Sequence, residues 1–529
     1  MKDRAPAKRR EIIIGGVLAV CCFSFFQLVL PYHLFFKEEI QLFLLTGEYF
    51  LSYWNKPAGL ACYVGDFLTQ FFYLRGGGAV TLSLTLWVEY IVTVQVLQRL
   101  GWTRYAAFVA LLPVAADGYL HGSLYYGLSA SVSHLFVLFV FLLYTRIKKP
   151  VWALAAGFLL IPFLYAAAGA ACILFPVLAL IYRWRKGERL WWYGVLPAVV
   201  AGVYPALVRP CYLQTAAQAY RYPYPSVFPA RQVDSGREAI LSLVVEAGWG
   251  RWDEVSRRAE AAGLAHPIAT YYAHIASSKQ GRLAENLLNV YQPLSGGLFL
   301  PVNPQSDWLS ICCSNDVFYY LGDMNMARHS AMLGMIFSPR HRSSRMLRRL
   351  TEIHLACGDT AIARKYLRML DATLFHRRWA RKHDTLAPQP QPILAQDTLR
   401  TASDYIVSLE RLIESYPENN PAVDYLLCYH LLNKDIAAFT ASYNRYRKAQ
   451  GGYIPRLYSE ALLIRLAAEK APIQELQSYG IPHQVIVDFM DYTRLYEQNK
   501  GASQPLRERF GNGYWFYYHF MAPQGTFEE

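Results

Sequence analysis

The sequence predicts an all-α protein in two parts. A transmembrane domain of seven helices, with interfacial helices, comes first, and a soluble α-solenoid follows it. Three observations predict this class: the apolar residues are concentrated before residue 209, Lys and Arg cluster between the apolar runs, and the second half carries amphipathic stretches broken by Gly turns. Only 17% of the 529 residues are charged, against about a quarter in soluble proteins. This deficit indicates a membrane protein.

Six apolar runs predict the membrane spans, because a helix needs roughly 20 apolar residues to cross the hydrocarbon layer. The fifth run would be about 48 Å long as a single helix at 1.5 Å per residue. We therefore predict that it forms two helices, which turn near Ala167–Gly169. The runs cover residues 12–30, 78–97, 105–117, 124–144, 151–182 and 190–208.

Basic clusters predict the topology. They are "APAKRR" at the start, Arg99 with Arg104, "RIKK" at 146–149, and "RWRKGER" at 183–189. The positive-inside rule predicts a cytoplasmic position for all four, which requires an even number of crossings between the third and the fourth. This gives seven spans, a cytoplasmic N-terminus and an extracytoplasmic second half. We expect a multi-pass protein of the inner membrane with a periplasmic C-terminal domain. Much of the net charge of +13 then comes from the basic clusters that set the membrane orientation. For this reason no nucleic-acid partner is expected.

The predicted domains follow from the same patterns. Residues 1–209 form the transmembrane domain, residues 210–235 form a linker rich in Pro and aromatic residues, and residues 236–529 form the extracytoplasmic helical domain. A second Pro-rich loop is predicted at 384–397. The spacing of the nine cysteines matches no metal-binding motif. A single disulfide among the cysteines on the predicted outer side is neither predicted nor excluded by their spacing.

Two segments of the second half match each other. "YLGDMNMARHSAML" (Tyr320–Leu333) and "ACGDTAIARKYLRML" (Ala356–Leu370) share a Gly-Asp turn, and Gly322 lies 36 residues before Gly358. Weaker turns of the same kind occur at Gly250, at Gly281 and in "LNKDIAAF" (Leu432–Phe439). This period resembles tetratricopeptide-type repeats. The resemblance implies stacked helical hairpins that bind peptides or partner proteins; packing against the membrane domain alone is the alternative.

The first outer loop, residues 31–77, is too long for a simple turn. Recurring Leu, Phe and Tyr predict two interfacial helices in it, Leu34–Tyr53 and Leu60–Leu74. Glu38 and Glu39 lie on the first of them. The second outer loop brings Asp117 and His121 to the same side of the membrane, and their i, i+4 spacing places the two side chains next to each other on a helix.

This layout resembles the C superfamily of membrane glycosyltransferases, which use polyprenyl-phosphate-linked sugars. In that superfamily a long first outer loop forms two juxtamembrane helices, and an acidic pair just after the first span holds the catalytic carboxylate. The resemblance implies that a carboxylate deprotonates an acceptor hydroxyl while cations hold the phosphate leaving group. It assigns catalysis to Glu38, Glu39 and Asp117, and substrate binding to Lys56, Arg75, His121 and Arg209. No cofactor is expected, and a divalent metal is left open.

Two other functions compete with this one. The alternative is a non-enzymatic, membrane-anchored scaffold, whose repeats recruit partner proteins to an envelope complex and whose Glu pair is interfacial charge. A transporter ranks third, because the predicted spans lack the intramembrane charges expected of an ion path.

Overall fold

The computed structural model describes residues 4–188, 191–226, 233–384, 404–447, 453–499 and 503–521. Of these residues, 75% are helical, and none is in a β-strand. The predicted all-α class is confirmed. Of the predicted loops, residues 385–397 of the second Pro-rich loop and residues 227–232 of the linker lie outside the described residues.

The helices of the first part of the chain are bounded as follows: α1 Arg4–Leu28, α2 Pro31–Glu39, α3 Gly47–Ser52, α4 Gly59–Thr69, α5 Gly77–Arg99, α6 Ala106–Val109, α7 Leu111–Leu120, α8 Leu128–Tyr144, α9 Pro150–Ala168, α10 Leu174–Arg185, α11 Val195–Val208 and α12 Ala216–Ala219. Short 3-10 turns cover Tyr53–Asn55, Gln70–Tyr73, Gly169–Ile173 and Trp191–Gly194.

The helices of the remaining chain are α13 Ser235–Gly248, α14 Trp252–Ala262, α15 Pro267–Lys279, α16 Leu283–Asn286, α17 Trp308–Cys313, α18 Asn315–Leu321, α19 Met324–Phe337, α20 Ser344–Ala356, α21 Thr360–Asp371, α22 Arg377–Asp384, α23 Tyr405–Ser415, α24 Asn420–Leu432, α25 Ile436–Tyr446, α26 Arg456–Ala468, α27 Ile473–Ser478, α28 His483–Gln498, α29 Ser503–Phe510 and α30 Tyr514–Phe520. Further 3-10 turns cover Leu287–Asn289 and Leu294–Gly297.

The chain divides into two compact units. Unit 1 contains Met1–Glu238 together with two short segments from later in the chain, Arg342–Arg345 and Leu367–Thr385. Unit 2 contains the rest from Ala239 onward. The sequence analysis assigned both short segments to the helical domain, because their residue pattern does not differ from that of the residues around them.

Three helical stretches of the described chain are long and apolar enough to cross a membrane: Arg9–Leu28, Gly77–Arg99 and Pro150–Arg185. The predicted count of seven spans is wrong on this measure. Three further apolar runs form helices of 10–17 residues, at Ala106–Leu120, Leu128–Tyr144 and Val195–Val208. Even 17 residues extend only about 25 Å at 1.5 Å per residue, less than the roughly 30 Å hydrocarbon layer.

The stretch from Pro150 to Arg185 is not one straight helix. It breaks at Gly169, whose φ of +65° lies in the left-handed region, where only glycine is free of strain. The guanidinium of Arg183, near the end of α10, donates to the carbonyl of Pro150 at the start of α9 (3.3 Å). The chain therefore reverses, and the predicted turn near Ala167–Gly169 is confirmed.

The four basic clusters meet at one end of the helices of unit 1. Arg10 donates to the carbonyl of Arg104 (2.8 Å), and the guanidinium of Arg185 lies 5.8 Å from the ring centroid of Trp102. The contact between Arg183 and Pro150 joins the third cluster to the fourth. Since α10 folds back along α9, the even number of passes predicted between these two clusters agrees with their position.

The first predicted interfacial helix, Leu34–Tyr53, is two helices in the structure. It is interrupted between α2 and α3, where Gln41 and Leu45 make backbone hydrogen bonds to distant residues: the carbonyl of Gln41 accepts from Ser344 (2.9 Å), and the amide of Leu45 donates to Ala372 (2.7 Å). Thr46 then caps α3 through its side chain. Tertiary partners thus replace the helical hydrogen bonds that local propensity favours. The second predicted helix agrees with α4 and its 3-10 extension.

Within unit 2, all five predicted turns end a helix in the same way. In each, the residue after the left-handed position donates its amide to the carbonyl five residues earlier, the Schellman arrangement of helix ends. These bonds run from Arg251 to Glu246 (3.0 Å), Arg282 to Ser277 (2.8 Å), Asp323 to Phe318 (2.9 Å), Asp359 to His354 (2.9 Å) and Asp435 to His430 (2.9 Å). The predicted helix–turn–helix positions are therefore correct.

The aromatic C-terminal helix α30 closes unit 2. Trp515 is fully buried and donates from its indole nitrogen to the carbonyl of Glu460 (2.9 Å). The hydroxyls of Tyr514 and Tyr517 donate to the last carbonyls of α24, which satisfies groups that a helix end leaves unpaired. The nine cysteines, all within the described ranges, form no disulfide with one another.

Candidate functional site

Helix α2 organises the candidate site, and its start is fixed by a carboxylate. Pro31 occupies the first turn, where its missing amide and preset φ favour helix initiation. The two carboxylate oxygens of Glu238 accept from the amides of Tyr32 (2.7 Å) and His33 (3.0 Å). A negative charge at a helix N-terminus also interacts favourably with the helix dipole. α2 is therefore held at an end where its sequence offers no capping side chain.

Glu38 is buried and paired with an imidazole. Its Oε1 atom lies 2.9 Å from Nε2 of His376, and both side chains are about nine-tenths or more buried, at 6% and 5% exposed. The other ring nitrogen of His376, Nδ1, is buried and lacks a hydrogen-bond partner within the described chain. The His376 ring also contacts Tyr73 edge-on, with centroids 5.0 Å apart. A carboxylate that holds one imidazole nitrogen leaves the other able to accept a proton.

Glu39 pairs with a guanidinium instead. Its Oε2 atom lies 3.0 Å from Nη1 of Arg345. The hydroxyl of Ser343 donates to the carbonyl of Glu39 (2.7 Å), which satisfies part of the C-terminal end of α2. The two adjacent glutamates thus meet different partners, both supplied by the segments that join unit 1 from later in the chain.

The opposite face of α2 carries His33 and Lys37, which are four residues apart and so lie on one side of the helix. The ammonium of Lys37 donates to the carbonyls of His121 (2.9 Å) and Tyr126 (3.0 Å). Nε2 of His33 lies 3.2 Å from the same His121 carbonyl. Consecutive residues of a helix point about 100° apart. Glu38 therefore faces away from the loop that Lys37 contacts.

Asp117 lies at the end of α7, 3% exposed. The hydroxyl of Ser131 donates to its Oδ2 atom (2.6 Å), the hydroxyl of Tyr126 donates to Oδ1, and Nε2 of His121 lies 3.6 Å from Oδ2. Nε2 of His121 is also 2.8 Å from the Ser131 hydroxyl. The predicted i, i+4 pairing of Asp117 with His121 is confirmed, and α8 supplies a partner that the sequence did not indicate.

Burial sets the charge of the two imidazoles beside Lys37. It lowers the pKa of His33 well below the usual value, and the neighbouring ammonium of Lys37 lowers that pKa further. Burial also lowers the pKa of His121, against the opposing effect of Asp117. Desolvation disfavours the charged form of an imidazole. Both rings are therefore neutral at neutral pH.

Glu89 joins this cluster from α5. It is 3% exposed, its carboxyl group lies within hydrogen-bonding reach of that of Asp117, and its Oε2 atom is buried without a hydrogen-bond partner in the described chain. It lies in the middle of a stretch that is apolar enough to cross a membrane. Glu89 therefore corrects the expectation of spans without ionisable residues, since this run contains a carboxyl group.

The predicted site residues separate into two groups. Glu38, Glu39, Asp117 and His121 are wholly or largely buried and held by the contacts described above, on two different sides of α2. Lys56, Arg75 and Arg209 are exposed. The buried cation is Lys37, which the sequence did not assign a role. Within the described ranges, no three His, Cys, Asp or Glu side chains are arranged to hold a metal ion.

Sequence reasoning missed His376, Arg345, Glu238 and Glu89. Only Glu89 carries a local signal, since an acidic residue within an apolar run is rare and marks a functional position by default. The other three lie hundreds of residues from α2 and look like ordinary residues of a polar helical region. No pattern of spacing points from them to the first outer loop.

The comparison with known proteins identifies a family without an assigned activity. Neither a curated protein nor a solved structure matches the chain. The family described as a family of unknown function, DUF6057, matches residues 6–521, nearly the whole length. The chain belongs to this family, DUF6057.

Proposed function

We propose that the chain is a glycosyltransferase-like membrane enzyme of the cell envelope, which transfers a sugar from a polyprenyl-phosphate donor at the outer face of the inner membrane. One observation carries the proposal: the buried contact of Glu38 with His376, on a helix that directly follows the first candidate span. A buried carboxylate–imidazole pair is the arrangement that general-base catalysis uses. The lipid-linked donor comes from the resemblance to the C superfamily.

The reaction proposed is displacement at the anomeric carbon. The acceptor hydroxyl forms the new C–O bond, the bond from the anomeric carbon to the phosphate oxygen breaks, and its electron pair leaves with the lipid phosphate. The hydroxyl proton passes to the Glu38–His376 pair. Because Glu38 holds Nε2 of the ring, the unpartnered Nδ1 or the carboxylate receives this proton.

Cations stabilise the charge that develops on the leaving phosphate. Lys56 and Arg75 suit this role because both are exposed and lie in the loop that contains α2. Arg209, at the end of α11, is exposed as well. His121 belongs to the buried Asp117 cluster and, being neutral, acts there as a hydrogen-bonding group. Glu39 and Asp117 position the site in this scheme.

The proposed topology places the four basic clusters in the cytoplasm and the first outer loop, with unit 2, in the periplasm. The contacts among the basic clusters support a shared side. The Gly-Asp turns of unit 2 would then belong to tetratricopeptide-like repeats of an α-solenoid that presents an acceptor or binds a protein or peptide partner. Their identical hydrogen bonds support such repeats.

A non-enzymatic scaffold is the second candidate, and a specific observation favours it. Both members of the acidic pair have partners from the later segments, Glu38 with His376 and Glu39 with Arg345. Such contacts serve equally to fasten these segments to α2. In that case the carboxylates are structural, and the helical repeats recruit partner proteins to an envelope complex.

The test uses the full chain, purified from its native membrane. Native mass spectrometry should detect a bound polyprenyl-phosphate lipid. Cells that carry Glu38→Gln should lose the envelope glycan made by the wild type while the protein level stays normal. Glu48→Gln is the matched control, since Glu48 is an exposed glutamate of the same loop. A wild-type glycan profile in Glu38→Gln and in His376→Gln would establish the scaffold instead.

A further inference from the structure

The strongest unassigned feature of the molecule is the contact between Glu89 and Asp117. The two carboxyl groups lie within hydrogen-bonding reach of each other, and both residues are 3% exposed. Two ionised carboxylates repel and offer no donor, so a hydrogen bond between them requires a proton. The Oε2 atom of Glu89 is itself buried and has no hydrogen-bond partner within the described chain. A buried oxygen without a partner is costly, which indicates a position that something else occupies.

We propose that Glu89 and Asp117 form a proton-binding site inside the helix bundle, which holds one proton shared between the two carboxyl groups. The proton resides on Glu89, whose free oxygen has no donor to stabilise a charge. Asp117 is the anion, because the hydroxyls of Ser131 and Tyr126 both donate to it. The site stands whether or not the chain transfers a sugar.

Charge balance supports a single proton. Lys37 contributes the one positive charge on α2, and the imidazoles of His33 and His121 are neutral because burial lowers the pKa of each. With one proton on the pair, Lys37 and Asp117 carry opposite charges and the cluster is neutral. With no proton it would hold an unbalanced buried negative charge, which proteins avoid.

The other titratable groups facing Glu89 do not supply a second cation. From α8, His134 pairs through Nε2 with the hydroxyl of Tyr224 (2.7 Å). From α1, which packs against α5, the charged groups all lie at or before Glu11. Glu11 accepts from Gln98 (2.6 Å), about two and a half helical turns along α5 from Glu89.

A hydrogen-bonded chain leads from the pair toward α2. It runs from Asp117 to the hydroxyl of Ser131 (2.6 Å) and on to Nε2 of His121 (2.8 Å). The carbonyl of His121 in turn contacts Nε2 of His33 (3.2 Å). Acidic and imidazole side chains in series form proton relays in membrane proteins. Here the hydroxyl of Ser131 links the carboxylate of Asp117 to the imidazole of His121. The pair thus holds a proton at one end of a polar route that begins in a candidate span.

Infrared spectroscopy of the full-length protein in lipid nanodiscs tests the site directly. The carbonyl stretch of a protonated carboxylic acid is distinct from that of a carboxylate and shifts in heavy water. The wild type should show such a band at neutral pH, and the difference spectrum against Glu89→Gln should contain it. Glu48→Gln, which changes an exposed glutamate, should leave the band unchanged.

Asp117→Asn is the second variant, and it keeps the test valid if Glu89→Gln does not fold. Removing the anion changes the hydrogen-bond acceptor of the acid, so the band should move to a different frequency. A band that is unchanged in each of the folded variants, or a difference spectrum without a carboxylic-acid component at neutral pH, would overturn the proposal.

Discussion

Glu38 and His376 are 338 positions apart in the sequence, yet Oε1 of the first lies 2.9 Å from Nε2 of the second. The contact joins α2 to a segment that precedes α22. Both side chains are buried, so removal of either partner leaves a polar group without its hydrogen bond.

The energetic coupling of this pair is the first prediction. Glu38→Gln and His376→Gln should each destabilise the protein, and the double variant should cost less than their sum, by about 0.5–3 kcal/mol for residues in contact. Thermal or denaturant unfolding in detergent, followed by circular dichroism, measures the cycle. A second cycle, which combines His376→Gln with Glu48→Gln, should give a coupling energy near zero, because Glu48 is exposed whereas His376 is buried. Additive effects of the first pair would contradict this coupling.

Gly65 should be irreplaceable in α4. An added Cβ would meet the backbone nitrogen of Ser129 and come 2.6 Å from its Cα atom, where α4 packs on α8. Backbone atoms cannot yield as a side chain does, so Gly65→Ala should cost about 1–3 kcal/mol of unfolding free energy by overpacking. Gly16→Ala in α1 is the matched control, since a Cβ there meets nothing within 4 Å. Equal stability of the two variants would contradict the close approach.

Arg349 should be the most sensitive cation of unit 2. Its guanidinium lies 3.0 Å from Asp316, which is 1% exposed, and 3.0 Å from Glu352. Arg349→Met leaves the carboxylate of Asp316 buried without its counter-charge, which typically costs about 3–5 kcal/mol. Adding Asp316→Asn to this variant should restore a large part of the loss, and Arg364→Met, at an exposed position, should have little effect. Failure of the second substitution to rescue would count against the ion pair.

His274 should make unit 2 sensitive to acid. Burial lowers its pKa from 6.5 to about 4, so the unfolded chain binds a proton between these values and the folded chain does not. The stability is fully present above the unfolded pKa and is lost as pH falls toward 4, by up to about 3 kcal/mol at 1.4 kcal/mol per pKa unit. Denaturant unfolding at several pH values should show a smaller pH dependence in His274→Gln. His329→Gln, at an exposed position, should keep the wild-type slope.

Features that depend on neighbouring residues were predictable from the sequence. The reversal at Gly169 follows from the length of its apolar run and from the basic clusters at both ends of that run. The helical class, the five turns of unit 2 and the pairing of Asp117 with His121 follow from periodicity, glycine or i, i+4 spacing. Each is fixed by interactions within a few turns of helix. The number of full-length spans was not predictable in this way, because hydropathy measures the apolar run and not where the helix inside it ends.

Features that depend on distant residues were not predictable. The break between α2 and α3 exists because Ser344 and Ala372 supply backbone partners, and no signal in the loop itself indicates them. The same holds for the partner of Glu38. Glu89 is different, since its position in an apolar run was visible; its neighbour Asp117 was not, because the packing of α5 against α7 is a tertiary fact.

The distance in sequence between Glu38 and its partner also has a meaning for synthesis. At roughly 5–20 residues per second, a ribosome makes His376 some 15 to 70 s after Glu38, given their separation of 338 residues. Helix α2 and the first candidate span are therefore made long before the partners of Glu38 and Glu39 exist. The first loop reaches its final contacts only after this interval, and in a chain arrested before residue 376 Glu38 lacks its imidazole partner.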